Sequence, residues 1–215
     1  DERAHLDFFF FLLVAHELAH QWFGDLLTCR DWSHAWLNES FATYFEALFT
    51  EHDKGADEFA VELRQNAEIY FEEDRDHYRR AIVTKVFKQP SDLFDRHLYE
   101  KGSLVLHMLR GLLGDRDFWK SIGIYVRENR GKVVETRQLL DAIEQATGKN
   151  LSKFFDQWVF GAGHPEYKIR YWWDARKKEA VFRVLQTQTT NGETSLFSSS
   201  IEFGFRSGQQ EKRFK

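Results

Sequence analysis

Eight consecutive apolar residues, Phe8 to Ala15, run without interruption into His16-Glu17-Leu18-Ala19-His20. A membrane span needs about 20 such residues, so the run is too short to cross a bilayer. Asp1, Glu2 and Asp7 precede it and no small-residue cleavage site follows, which does not match a secretory leader. A helix that is apolar on every side calls for protein on every side, so the run predicts a buried helix at the centre of a domain. That helix then ends on three ionisable residues, whose burial is costly unless something satisfies them. The fold must supply that partner.

The remaining sequence can build such a domain. Of 215 residues, 42% are hydrophobic, including 21 Phe and 7 Trp, which excludes disorder and provides for one large core or two smaller ones. Only 2 prolines occur, where average usage would give about 11, so long helices are expected. The lone Cys29 excludes an internal disulfide framework and a cysteine metal cluster, and reads as a small buried residue. A net charge of −4 gives no electrostatic reason to expect nucleic acid or an anionic membrane as partner. With Asp1 first and Met108 the single methionine, the sequence is expected to be a piece of a longer chain. With no leader or membrane span in it, a cytoplasmic compartment is the expectation.

Spacings of three and four residues predict a second helix over Trp36 to Thr50, with Ser33 as start signal and Gly55 as stop. Further helices are predicted over Ala56 to Tyr78, Leu98 to Leu113, Asp117 to Asn129, Thr136 to Thr147 and Leu151 to Val159, with residues 79–95 as an ordered connection. After Gly161-Ala162-Gly163-His164-Pro165 the pattern changes to alternation, predicting strands near residues 167–173, Ala180 to Thr187, Thr194 to Phe205 and Glu211 to Lys215. About four strands are fewer than the roughly seven of a complete sandwich. The expectation is an α+β chain, with residues 1–160 a helical domain and residues 161–215 a partial β-sandwich.

His16-Glu17-Leu18-Ala19-His20 is an H-E-x-x-H sequence. Histidines four apart lie on one helix face and can reach one metal ion, while Glu17, about 100° around the helix, can hold a water beside it. Zinc held by three protein groups polarises that water and the carboxylate accepts its proton. With 9 His and 19 Glu, chance would supply roughly 0.03 such matches, so the surroundings must decide. A third ligand is required, and Glu39, 18 residues beyond the motif on the second helix, is the best candidate.

These residues and their neighbours, His16 through Gly24 and Trp36-Leu37-Asn38-Glu39, resemble the zinc aminopeptidases of the gluzincin group, which include membrane alanyl aminopeptidases and leukotriene hydrolase. The resemblance continues through Tyr99-Glu100-Lys101-Gly102, Arg110 to Asp115 and Phe154 to Trp158, to Gly163-His164-Pro165, where helical catalytic domains of that family hand over to a β-sandwich. It implies a thermolysin-like zincin catalytic domain that binds one Zn²⁺ through His16, His20 and Glu39. Glu17 would be general base, and Tyr99 would donate a hydrogen bond to the oxyanion formed on the scissile carbonyl, a role suited to a neutral phenol. Thr43, Glu46 and Asp25 are candidates for orienting the ligands. The aromatic residues Trp32, Trp36, Tyr44 and Phe45 are expected in the core.

The implied activity is release of N-terminal residues from peptide substrates. The family recognises the substrate's free amine with a Gly-Ala-Met-Glu-Asn segment upstream of the metal motif, and no such segment occurs in these 215 residues. The resemblance implies that the parent protein's N-terminal β domain and C-terminal helical domain would be the missing partners, so the chain alone is expected to be weak or inactive. Alternatives from other classes are an endopeptidase of thermolysin type and a non-catalytic zinc- or peptide-binding module.

Overall fold

In a computed structural model, the chain is described over residues 2–208 and 210–214, with side chains described from residue 10 onward except at 207 and 210. It divides into two compact units, Asp1–Gly163 and His164–Lys215.

The first unit is helical: α1 Glu2–Ala19, α2 Trp36–Lys54, α3 Ala56–Asp76, α4 Gly102–Leu113, α5 Asp115–Asn129, α6 Thr136–Thr147 and α7 Ser152–Trp158. Its centre is α2. Trp36, Leu37, Phe41, Ala42, Tyr44 and Ala47 on that helix are all fully or almost fully buried. Phe41 stacks on Phe23 with ring centroids 4.2 Å apart and on Tyr125 of α5 at 6.1 Å. Glycine ends α2, α4 and α6 at Gly55, Gly114 and Gly148. Gly148 is left-handed with φ +69°, which glycine adopts without a Cβ clash.

Helix α1 is not enclosed as expected. It packs on α2 through residues such as Leu12 and Ala19, but Phe10 is 63% and Leu18 57% exposed. Hydropathy on every side of a helix states that it needs cover; it does not state that these residues provide it. Phe8 and Phe9 lie outside the described side chains. Among the described residues no helix is long and apolar enough to cross a membrane.

Three local features differ from the sequence reading. A short parallel pair, β1 Leu27–Cys29 with β2 Lys132–Val134, was not expected, because three-residue strands show no period to read. Cys29 sits in that pair and is only partly buried. Ser33 does not start α2: Asp31 caps a 3₁₀ turn, Trp32–His34, by accepting from Ser33 N–H at 2.9 Å, and α2 follows. Trp32, expected in the core, is half exposed. The predicted helix at Leu98 is preceded by a π-helical turn, His97–Lys101, in which Lys101 N–H bonds Arg96 O five residues back at 2.9 Å.

The second unit holds two antiparallel hairpins, β3 Tyr167–Asp174 with β4 Glu179–Gln186 and β5 Phe203–Ser207 with β6 Gln210–Phe214. Phe182 joins them by packing on Phe203 at 4.7 Å and Phe205 at 5.1 Å. The strand expected from Thr194 begins only at Phe203. In the preceding stretch the Gln186 side chain takes the place of a neighbouring strand, accepting from Phe197 N–H at 2.8 Å and donating to Phe197 O. Gln188 likewise donates to Ser195 O and Asn191 accepts from Thr194 N–H, so side-chain amides take backbone groups that a ladder would use.

Candidate metal centre

The site is built where the end of α1 meets the start of α2. His16 and His20 lie one turn apart near the C-terminus of α1, and Glu39 lies in the first turn of α2. The two elements are pinned independently. Thr136, at the start of α6, accepts from Trp36 Nε1 at 2.9 Å and lies 3.0 Å from His34 Nδ1, which fixes the beginning of α2. At the end of α1 the chain turns through Gly24, where a Cβ would come 2.9 Å from His20 O. Phe23, just before Gly24, is buried in the core and stacks on Phe41.

The structure brings His16, His20 and Glu39 together. His16 Nε2 lies 3.6 Å from Glu39 Oε2 and His20 Nε2 lies 3.4 Å from the same oxygen. A tetrahedral zinc with nitrogen and oxygen ligands at 2.0–2.1 Å separates its ligand atoms by about 3.4 Å, so the spacing suits that ion. The opposite ring nitrogens are engaged: His16 Nδ1 lies 3.3 Å from Glu46 Oε2 and His20 Nδ1 lies 3.0 Å from Phe23 O. Both Nδ1 atoms face acceptors and both Nε2 atoms face Glu39, so with an ion in place of the Nε2 protons the rings would be held from behind as Nδ1–H donors.

Of the three orienting candidates, Glu46 is the one that reaches a histidine. Thr43 Oγ1 instead donates to Glu39 O within α2 at 2.9 Å, and Asp25 is exposed. The Phe23 carbonyl was missed, because a backbone acceptor carries no residue-type signal.

Without a metal the cluster is strongly coupled. Burial is the largest influence on His16 and favours the neutral ring, but hydrogen bonds and charge from Glu39 and Glu46 outweigh it and raise its pKa to about 9. Burial likewise works against ionisation of Glu39, yet His16 and His20 hold its pKa at about 2.

Tyr99 sits in the π-helical turn with its ring 6.2 Å from that of His16. Burial first, then the charges of Glu39, Glu100 and Glu17, push its pKa above the usual tyrosine range. The phenol is therefore a protonated donor at neutral pH. Glu17, next to His16 in α1, is exposed.

Behind Tyr99 lies a second polar cluster that the sequence did not reveal. Asp95 accepts from Arg80 Nε at 2.7 Å and Nη2 at 2.6 Å, from Tyr78 Oη at 2.7 Å, and from the N–H groups of His97 and Leu98 at 3.0 and 2.9 Å. Glu73, Asp95 and His97 are also spaced like metal ligands. Here, however, Arg80 and Tyr78 already take the Asp95 oxygens, and Arg79 pairs with the adjacent Asp74 at 2.6 Å. This cluster holds the π-helical turn rather than an ion.

Comparison with known proteins assigns the class to which this arrangement belongs. The Peptidase family M1 domain matches residues 9–158, and the chain belongs to that family. Its relatives include the Tricorn protease-interacting factor F2 of Thermoplasma volcanium, 35% identical over 162 residues (74% of this chain, 21% of the relative). A second is the probable aminopeptidase 2 of Sulfurisphaera tokodaii, 33% identical over 198 residues (84% and 25%). Among solved structures, an M1 zinc metallopeptidase of Deinococcus radiodurans bound to a Tyr-Ser-Ala substrate is 33% identical with a TM-score of 0.61, covering 72% of this chain and 34% of that one. The chain spans about a quarter or less of the length of the curated relatives it matches. The α+β fold, with a mostly helical M1 catalytic part, is the one expected.

Proposed function

We propose that this chain carries the hydrolytic centre of a zinc-dependent aminopeptidase, with His16, His20 and Glu39 holding one Zn²⁺. The observation that carries the reading is the convergence of both Nε2 atoms on Glu39 Oε2 at 3.4 and 3.6 Å, each imidazole held from behind. When bound, the ion supplies a Lewis acid that makes water a nucleophile near neutral pH and polarises the scissile carbonyl. Glu17 takes the proton of the attacking water and later delivers it to the departing amine. Tyr99 donates to the oxyanion that develops on the carbonyl, and burial beside carboxylates keeps its proton in place for that task.

An aminopeptidase, rather than a peptidase acting within chains, is supported by the aminopeptidases among the relatives. Residues 161–215 are proposed as part of a β-sandwich domain. The 215 residues contain no Gly-Ala-Met-Glu-Asn segment to anchor a substrate amine, so their turnover of aminoacyl-anilides is expected to be slow.

Metal analysis of the purified chain should give one zinc per molecule, lost in His16→Ala. Glu17→Gln should keep the zinc and lower hydrolysis by about 10²-fold or more, as removal of a general base does. Folded protein without stoichiometric zinc, indistinguishable from His16→Ala, would sink the reading. Faster cleavage of N-blocked peptides than of aminoacyl-anilides would favour an endopeptidase.

A further inference from the structure

The helix that carries Glu39 packs against the turn that carries Tyr99, and the approach is tightest where the turn passes into α4. Ser40 follows Glu39 on α2 and is fully buried; Gly102 opens α4, three residues after Tyr99. A Cβ on Gly102 would lie 1.8 Å from Ser40 Oγ and 2.5 Å from Ser40 Cβ, separations that atoms do not adopt. Ser40 also donates its hydroxyl to Leu98 O, inside the π-helical turn. One bond thus draws the turn onto α2 at Leu98, and the missing side chain at Gly102 lets it come that close.

This contact decides where Tyr99 stands. The turn is stiff: Asp95 fixes its first N–H groups, and His97, Leu98, Glu100 and Lys101 are all buried. A stiff turn moves as a body, so a push at Gly102 is passed to Tyr99. Opening separations of 1.8 Å to Ser40 Oγ and 2.5 Å to Ser40 Cβ out to ordinary contact requires a shift of roughly 1–1.5 Å. A misplacement of about 1 Å is enough to cost a catalytic donor most of its effect.

We propose that Gly102, through its contact with Ser40, is a positioning residue that sets the Tyr99 phenol against the metal ligands. It does not touch the substrate. The inference rests on the function proposed above, so zinc content is measured first, on the whole chain.

The test compares Gly102→Ala, Tyr99→Phe, their combination, Ser40→Gly and Ser40→Gly/Gly102→Ala. The readout is binding of L-leucine hydroxamate to the zinc-loaded proteins by calorimetry, together with crystal structures of the parent and Gly102→Ala. Tyr99→Phe is expected to weaken binding about tenfold, the size of one lost hydrogen bond to a charged group. Gly102→Ala should match it with zinc content unchanged, and the combined variant should lose no more than either alone. Adding Ser40→Gly to Gly102→Ala makes room for the methyl and should bring binding to the level of Ser40→Gly alone, with no further loss from the methyl.

Parent-like binding by Gly102→Ala, or losses that multiply in the combined variant, overturns the proposal. If the parent takes up no zinc, the proposed function has failed, and the crystal structures still decide the positioning role. A Tyr99 hydroxyl displaced from Glu39 by about 1 Å supports it, and an unmoved one overturns it. Should Gly102→Ala not fold, Ser40→Gly alone serves, since it frees the turn from Leu98 O. Weakened hydroxamate binding is then expected, and parent-like binding overturns the proposal.

Discussion

Replacing Asp95 tests how the loop after α3 is held against the site. Its carboxylate is almost fully buried and accepts five hydrogen bonds, two of them from the Arg80 guanidinium. In Asp95→Ala, Arg80 keeps its bonds to Ala81 O, Ile82 O and Leu93 O but loses its counter-charge. An uncompensated buried charge costs about 3–5 kcal/mol, and each orphaned buried N–H, here those of His97 and Leu98, about 1–3 kcal/mol. These costs overlap, because relaxation and water entry relieve them together. The expected loss is about 4–5 kcal/mol, a third or more of the stability of an ordinary domain. Asp95→Asn keeps the size and one acceptor oxygen and should lose about half as much.

The assay is urea unfolding followed by circular dichroism at 222 nm, which reports the helical unit. The sign of the pH dependence is a further check. Burial alone would raise the Asp95 pKa, but His97, Arg80 and Tyr78 outweigh it and hold the carboxyl far below its ordinary range. Its contribution is therefore complete above the unfolded pKa of about 3.9 and fades as pH falls towards the lower folded value. Parent and Asp95→Ala should differ by a constant amount above about pH 5 and converge in acid. A variant within about 1 kcal/mol of the parent at pH 7 would refute the reasoning.

Two further outcomes follow from the same geometry. Zinc must displace the proton that Glu39 and Glu46 help His16 hold up to about pH 9, and that of His20, whose pKa Glu39 also raises, so below pH 9 apparent zinc affinity should rise at least about tenfold per unit, with proton release visible as buffer-dependent calorimetric heat; affinity that is flat from pH 6.5 to 9 would contradict it. Phe41→Ala should cost about 3–5 kcal/mol, because the ring is fully enclosed between Phe23 and Tyr125, and a loss under 1 kcal/mol by urea unfolding would show the core able to collapse around the gap.

Much of the helical framework was legible because its signals are local. Thr136–Thr147 begins and ends where its period and Gly148 place it, and α2 and α3 differ from expectation only at their ends. The segments that failed are those whose conformation is set by a distant partner. Residues 194–202 alternate like a strand, but there the side chain of Gln186 pairs with the backbone of Phe197, and the β1–β2 pair joins residues about a hundred positions apart. The π-helical turn at His97 was read as ordinary helix because one inserted residue barely disturbs a period of 3.6.

For the site, the sequence by itself determined the chemistry on offer: two histidines on one face, a glutamate between them, a second glutamate 18 residues on and a tyrosine in a distinctive setting. Residue type and helical spacing suffice for that, since they fix which groups a single helix can present together. Only the tertiary structure decided the distances. It brought Glu39 Oε2 to within 3.6 Å of both histidines, chose Glu46 over Thr43 and Asp25 as the group behind His16, and enlisted the Phe23 carbonyl behind His20. It also let the Tyr99 turn approach α2 closely because one position, Gly102, has no side chain. Spacing along a helix is fixed by hydrogen bonds every fourth residue, whereas spacing between helices is fixed by what fills the gap, and that depends on residues far apart in the chain.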